Sequence, residues 1–254
     1  MSSPQHPRRS GSTSPSAPSR TTTPVVVAIV VAVCIGAVVA ISFLLREDSD
    51  TQGAAVDRAG STGTPGDCGD AAQPPAEPQQ FEAAPEPASV EGKRVEAVLA
   101  TNCGDVTVEL YGDKAPQTVA SFAFLAEEGY FDDSPCHRLT TENLFVLQCG
   151  DPTGTGQGGP GYVFGIENAP ADGAYPSGTL AMARTSDPNS NGSQFFIVYE
   201  DTQLPDPNGY SIFGEVTDGM DVVDFVAEQG VAGGAGDGAP AQPLSILDVT
   251  ITDE

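Results

Sequence analysis

Three short blocks hold the side chains with which this 254-residue chain could do chemistry. They are Cys136-His137-Arg138-Leu139, Phe145-Val146-Leu147-Gln148-Cys149-Gly150-Asp151 and Asn191-Gly192-Ser193-Gln194-Phe195-Phe196. Arg138 stands out, because a guanidinium stays charged and presents its N–H donors in a fixed fork. A donor of that kind can stabilise charge that shifts within a substrate without any bond breaking. Other chemistries lack their residues. His6 and His137 are the two histidines, so a His-rich zinc site is excluded. Cys136 and His137 are adjacent, and neighbours in a strand point to opposite faces, so they do not make a nucleophilic dyad. No base-activated serine is evident, and the many carboxylates show no pair of distinctive spacing. Gly154-Thr155-Gly156-Gln157-Gly158-Gly159 has the spacing of a dinucleotide fingerprint. Pro160-Gly161 follow where a helix would have to begin, so these glycines read as a loop.

In this order the blocks resemble the cyclophilins, peptidyl-prolyl cis-trans isomerases whose pattern is His-Arg, a short turn, Phe-x-x-Gln-x-Gly-Asp and later Asn-Gly-Ser-Gln-Phe-Phe. The resemblance runs from about Arg94 to Ile251 and takes in Gly104-Asp105-Val106-Thr107-Val108-Glu109-Leu110-Tyr111, Lys114-Ala115-Pro116-x-Thr118 and Phe213-Gly214-x-Val216. It implies that Arg138 is catalytic and that Phe145, Val146, Phe196 and Leu204 line a proline pocket, with Tyr210 at its edge. Gln148 would hydrogen-bond Arg138 or the substrate. Gln194 and the backbone at Ala183 and Arg184 would bind the residues before the proline, with His137 a hydrogen-bonding support beside the pocket. No cofactor or metal is implied, and the partners would be proline-containing polypeptides of unfolded or flexible proteins. The same groove could serve a non-catalytic proline-peptide-binding module or assembly factor. Retention of Arg138 favours catalysis, since holding an apolar proline needs no buried cation. Asn191-Gly192-Ser193 spells a glycosylation sequon, but inside this block it reads as a turn feeding a pocket strand.

The chain departs from the family pattern in places. The stretch Leu139-Thr140-Thr141-Glu142-Asn143-Leu144 is two residues longer than the usual connection between the arginine and the phenylalanine. Val146 stands for a methionine, Arg184-Thr185 for Asn-Ala, Leu204 for a common tryptophan and Tyr210 for a histidine. Leucine lacks the indole N–H and much of its area, so weak cyclosporin binding is expected.

These residues need a scaffold of short strands. Residues 94–100 and 105–111 alternate apolar and polar side chains around Thr101-Asn102-Cys103-Gly104, which predicts a hairpin. Pro116 opens a helical run through Val119, Phe122, Ala123 and Leu125 that Gly129 closes. Strands follow at 136–139, 145–150, 178–183, 195–198 and 212–216, then a helix through Met220, Val223 and Val226 ending at Gly230, and a last strand at 244–251. Many short strands with two helices predict an all-β closed antiparallel barrel. The resemblance sharpens it to eight strands capped by two α-helices, over residues 91–254.

The rest of the chain has little to bury. Residues 1–24 and 46–90 are rich in Ser, Thr, Pro, Ala, Gly and Gln, and both are expected to be disordered, the second as a spacer. Between them, residues 25–45 carry no charge, and as a helix would span ~31 Å, enough to cross a bilayer of ~30 Å once. Arg8, Arg9 and Arg20 precede this span while Glu47, Asp48 and Asp50 follow it. The positive-inside bias therefore puts the N-terminus in the cytoplasm and the domain outside, at the cell membrane. A net charge of −25, concentrated in the domain, repels nucleic acid and serves the domain's solubility; a monomer is expected. Cys34 lies in the span, leaving Cys68, Cys103, Cys136 and Cys149 in a compartment where disulfides persist. Cys136 and Cys149 flank the Arg138 hairpin and could bridge it, with Cys68 joining the Cys103 turn; buried free thiols are the alternative.

Overall fold

The computed structural model describes residues 66–252. The N-terminal tail, the apolar segment 25–45 and the first part of the 46–90 segment lie outside these residues. Among the described residues no helix is long and apolar enough to cross a membrane.

The strands are β1 (Arg94–Thr101), β2 (Gly104–Tyr111), β3 (Ser134–Pro135), β4 (Arg138–Glu142), β5 (Leu144–Cys149), β6 (Ala174–Tyr175), β7 (Thr179–Met182), β8 (Phe195–Val198), β9 (Thr202–Gln203), β10 (Ile212–Asp218), β11 (Asp237–Gly238) and β12 (Ser245–Thr252). The helices are α1 (Pro116–Glu127) and α2 (Met220–Glu228). Proline starts α1, where its missing N–H costs nothing, and the Glu167 carboxylate accepts from the free N–H groups of Gln117 and Thr118 at 3.1 and 2.8 Å. Gly129 ends it with φ 67°, a left-handed conformation that favours glycine.

Ten strands form one antiparallel sheet in the order β11-β4-β5-β8-β7-β10-β2-β1-β12-β3, with β6 and β9 as a separate pair. The closed eight-stranded barrel expected from the sequence is thus corrected to an open sheet. β3 and β4 are joined by Cys136 and His137 alone, so the sheet curls back on itself, but its ends do not pair. Pro135 lacks an N–H, the Cys136 N–H goes to the Leu244 carbonyl at 2.8 Å, and β11 occupies the outer edge of β4. The short strands β3, β6, β9 and β11 carry too few residues for an alternating pattern, which is why the sequence reading misses them.

One sheet face packs on the helices. Val119, Phe122 and Leu125 of α1 and Val222, Val223 and Val226 of α2 meet Leu139, Leu147, Ile197 and Phe213, all buried. Phe122 sits at the centre, with the rings of Phe131, Phe195 and Phe213 at 5.0, 5.5 and 5.6 Å. The other face carries a smaller cluster of Val146, Tyr175, Ala181, Phe196 and Val198.

The described part of the 46–90 segment is laid on the domain rather than standing off as a spacer. Cys68 is bonded to Cys103. Phe81 packs edge-on to Phe124 at 4.9 Å, its N–H donates to the Pro160 carbonyl, and Val90 is buried. A single aromatic and a cysteine among polar residues are a weak sequence signal, yet each finds a long-range partner.

Candidate active site

The site grows from one lateral row of the sheet. Arg138 of β4 faces Gln148 of β5, which faces Phe196 of β8, then Ala181 of β7 and Ile212 of β10. Because side chains alternate along a strand, this row and its neighbour Thr140, Val146 and Val198 share the face away from the helices. The result is a concave pocket of about 430 Å³. Val146, Phe196, Leu144, Leu204 and Tyr210 supply its apolar wall, and Arg138, Gln148, His137 and Asp237 its polar rim.

Tyr175, fully buried, braces that wall from behind. Its ring lies 6.4 Å from Phe196 and 6.3 Å from Tyr210, its hydroxyl donates to the Tyr210 carbonyl, and it accepts the Tyr210 N–H at 2.7 Å. The wall loop is also tied to the segment that follows β7. Arg184, its side chain 1% exposed, donates to Asp206 at 2.6 Å and to the Gly209 carbonyl at 3.0 and 2.7 Å.

A chain of hydrogen bonds crosses the floor. Arg138 Nε and Nη2 donate to the two Asp237 oxygens at 2.8 and 2.7 Å, and Nη1 donates to Gln148 Oε1 at 3.1 Å. Gln148 Nε2 donates to Gln194 Oε1 at 2.8 Å, and Gln194 Nε2 to the Gly158 carbonyl at 2.9 Å. The Asp237 bond, together with that carboxylate's field, raises the Arg138 pKa further despite partial burial, and the Arg138 bond lowers that of Asp237. The cation is therefore permanent, held in a fixed plane beside an apolar slot.

The Gly154–Gly159 loop flanks this pocket, with no helix after it, and forms the back of an adjoining groove of about 510 Å³. Buried Asp151 holds the loop through the Thr153 and Gly158 N–H groups at 2.8 and 3.0 Å and the Thr153 hydroxyl at 2.7 Å. Gly158 must be glycine, since a Cβ there would overlap the Asp151 carboxylate. Asn191 is buried and donates to Gly165 and Ser211, so the sequon spelling is a packed turn.

Arg138, Val146, Gln148, Phe196, Leu204, Tyr210, Ala183, Arg184 and His137 all line the pocket, and Gln194 the adjoining groove. Two expectations are corrected. Phe145 points to the other side of β5, against Tyr199 at 5.9 Å, because 146 and 148 take the pocket face; Leu144 stands in its place. The Ala183 N–H is committed to the Gln194 carbonyl at 2.9 Å and is not free for a substrate. His137 is partly buried at the pocket edge near the Pro135 backbone and the Gln194 side chain, and burial lowers its pKa. Both expected disulfides, Cys136–Cys149 and Cys68–Cys103, are formed. Sequence reasoning misses Leu144, Tyr175, Asp206 and Asp237 as site residues.

The family model for cyclophilin type peptidyl-prolyl cis-trans isomerase/CLD matches residues 97–251. The chain is 44% identical over 173 residues to the probable peptidyl-prolyl cis-trans isomerase B of Mycobacterium tuberculosis (strain ATCC 25618 / H37Rv), covering 62% of this chain and 54% of that protein. Against the protein of the same name from Mycobacterium leprae (strain TN) it is 44% identical over 190 residues, covering 69% and 61%. The match thus spans little more than half the length of these relatives. Among solved structures, a cyclophilin type peptidyl-prolyl cis-trans isomerase of Cryptosporidium parvum superposes with a TM-score of 0.54 at 31% identity, covering 63% of this chain and 99% of that one. The same protein in the presence of the dipeptide Ala-Pro gives 0.53 at 32%, with the same coverage.

Proposed function

The chain belongs to the cyclophilin-type peptidyl-prolyl cis-trans isomerase family, and from the geometry of its groove we propose that it accelerates Xaa-Pro isomerisation in proline-containing polypeptides. The observation that carries this reading is Arg138, a fixed cation at the mouth of a pocket walled by Val146, Phe196 and Leu204. An Xaa-Pro bond turns over spontaneously in tens to hundreds of seconds, across a barrier of ~18–20 kcal/mol set by amide resonance. Twisting the amide localises the lone pair on the prolyl nitrogen. A donor aimed there binds the twisted form better than the planar one, and that difference is the catalysis. The pocket holds the pyrrolidine ring, while Gln194 and the main chain at Arg184 are placed to hold the residues before it.

Outside the cytoplasm is the compartment this reading favours, with a single membrane anchor at residues 25–45. The uncharged span, the arginines before it and the acids after it support that placement, as do two disulfides. Clients would be newly exported chains whose folding waits on proline. Sodium carbonate washing should leave the protein in the membrane fraction; recovery in the soluble cytosol would refute the placement.

The enzymatic reading is tested with the full chain in detergent, following isomerisation of a proline tetrapeptide. Arg138→Ala should lower kcat/KM by ~10²-fold, the loss expected for a key donor, with circular dichroism unchanged. A well-folded Arg138→Ala protein of full activity would refute it.

A further inference from the structure

Asp237 comes from a part of the chain with no sequence pattern, yet it makes the closest contacts of the catalytic arginine. It engages Arg138 with both oxygens, at 2.8 and 2.7 Å, and itself lines the pocket. We propose that Asp237 is a positioning residue for catalysis, which sets the plane and reach of the Arg138 guanidinium. This rests on the isomerase reading above.

The local fold is arranged around that contact. β11 consists of Asp237 and Gly238 and pairs with β4 alone, Asp237 opposite Thr140 and Gly238 opposite Leu139. The Thr141 N–H donates to the Gly236 carbonyl at 2.9 Å, and the Ala232 N–H to the Ala239 carbonyl at 2.8 Å. Backbone pairing thus brings a carboxylate to the edge strand beside the arginine, at the cost of a long loop.

The division of donors gives the contact its meaning. A guanidinium has five N–H groups in a rigid plane. Asp237 takes one on Nε and one on Nη2, and Gln148 takes one on Nη1. One donor on each terminal nitrogen is left for a substrate, and neither can swing away while the fork is held. Without Asp237 only the single bond to Gln148 would restrain a long, rotamer-rich side chain.

Both partners are half-exposed, with side chains 37% and 57% accessible, so water screens the pair and it adds little to stability. Its effect falls on orientation, which separates the proposal from a structural role. Asp237→Ala should lower kcat/KM about tenfold, through kcat more than KM, while Tm moves by less than about 2 °C. Asp237→Asn keeps one acceptor oxygen and should lose about threefold. In an Arg138→Ala background, Asp237→Ala should cost nothing further, since it acts through the arginine.

Unchanged kcat/KM in Asp237→Ala would overturn the proposal, as would the same fold-loss in the Arg138→Ala background. An inactive wild-type chain would instead refute the isomerase reading. The clamp is then read from the Arg138 Nε–H resonance in 15N-labelled protein, which should move and exchange faster with water in Asp237→Ala. A resonance that does neither would overturn the clamp on its own.

Discussion

The Arg184 guanidinium lies 4.6 Å from the centroid of the Tyr210 ring, packed over the wall that it also ties by hydrogen bonds to Asp206 and Gly209. A side chain that stands where the family pattern has asparagine thereby links the segment after β7 to the loop carrying Leu204 and Tyr210. Arg184→Ala should loosen that wall and raise KM for proline peptides roughly fivefold, with kcat less affected. Arg184→Lys should not restore it, since an ammonium cannot span the carboxylate and the carbonyl at once. An unaltered KM in Arg184→Ala would show that the loop stands without the clamp.

The Cys136–Cys149 disulfide stands behind the same row of the sheet, two residues before Arg138 and one after Gln148. It closes a loop with a sequence separation of 13, which the chain-entropy account values at ~3 kcal/mol. Replacing both cysteines by alanine should lower stability by about that amount and reduce activity, because the crosslink holds the two strands that carry the donor and its glutamine. Mass spectrometry of unreduced, alkylated protein should find neither cysteine modified. Alkylation of both would remove the bridge from the account.

Much of this arrangement was legible in the sequence, for physical reasons. The hairpin of β1 and β2, α1 and α2 have apolar residues at the right period with glycine or proline near their ends, and they lie where those signals put them; β8 lies where its short apolar run puts it. Arg138, Gln148, Phe196 and Gln194 sit in blocks local enough to be recognised. Phe145 was misread because a motif gives no face, whereas the pairing of Arg138 with Gln148 does. Asp237, Asp206 and the stretch before Val90 act through partners far along the chain. Nothing in their own neighbourhoods announces those partners, and the same is true of the β11 edge that takes the place of barrel closure.

Acid should destabilise the domain in two stages. Burial pushes the His137 imidazole below its ordinary pKa, so the unfolded chain binds a proton that the folded one refuses, and stability falls as pH drops below ~6.5. Burial pushes the Asp151 carboxyl up, but bonds from the Thr153 hydroxyl and the Gly158 and Thr153 N–H groups outweigh it and hold it low. Its contribution is present above the unfolded value and is lost below ~3.9. Asp105 and Asp224, raised by burial, act with the opposite sign just above that value. The loss between pH 6.5 and 5 therefore belongs to His137. Urea midpoints measured across this range should flatten in His137→Gln; an unchanged slope would assign the loss elsewhere.

The segment before Val90 should behave as part of the domain. Phe81 packs against Phe124 at 4.9 Å and Tyr130 at 6.3 Å, Gln80 donates to the Gly159 carbonyl at 2.8 Å, and the Phe81 N–H donates to Pro160 at 2.7 Å. These bonds fall on the glycine loop that carries the Gln194 partner Gly158, so the strap steadies the back of the groove from outside. Phe81→Ala should cost ~2 kcal/mol, less than a fully buried phenylalanine because the ring is half-exposed. Hydrogen exchange at residues 154–161 should rise in the same variant, while exchange in β1 and β2 stays put. Limited proteolysis of the wild type should spare residues 79–90 and open them once Phe81 is removed. A wild-type chain cleaved within 79–90 as fast as an unfolded peptide would restore the spacer reading and leave the glycine loop to Asp151 alone.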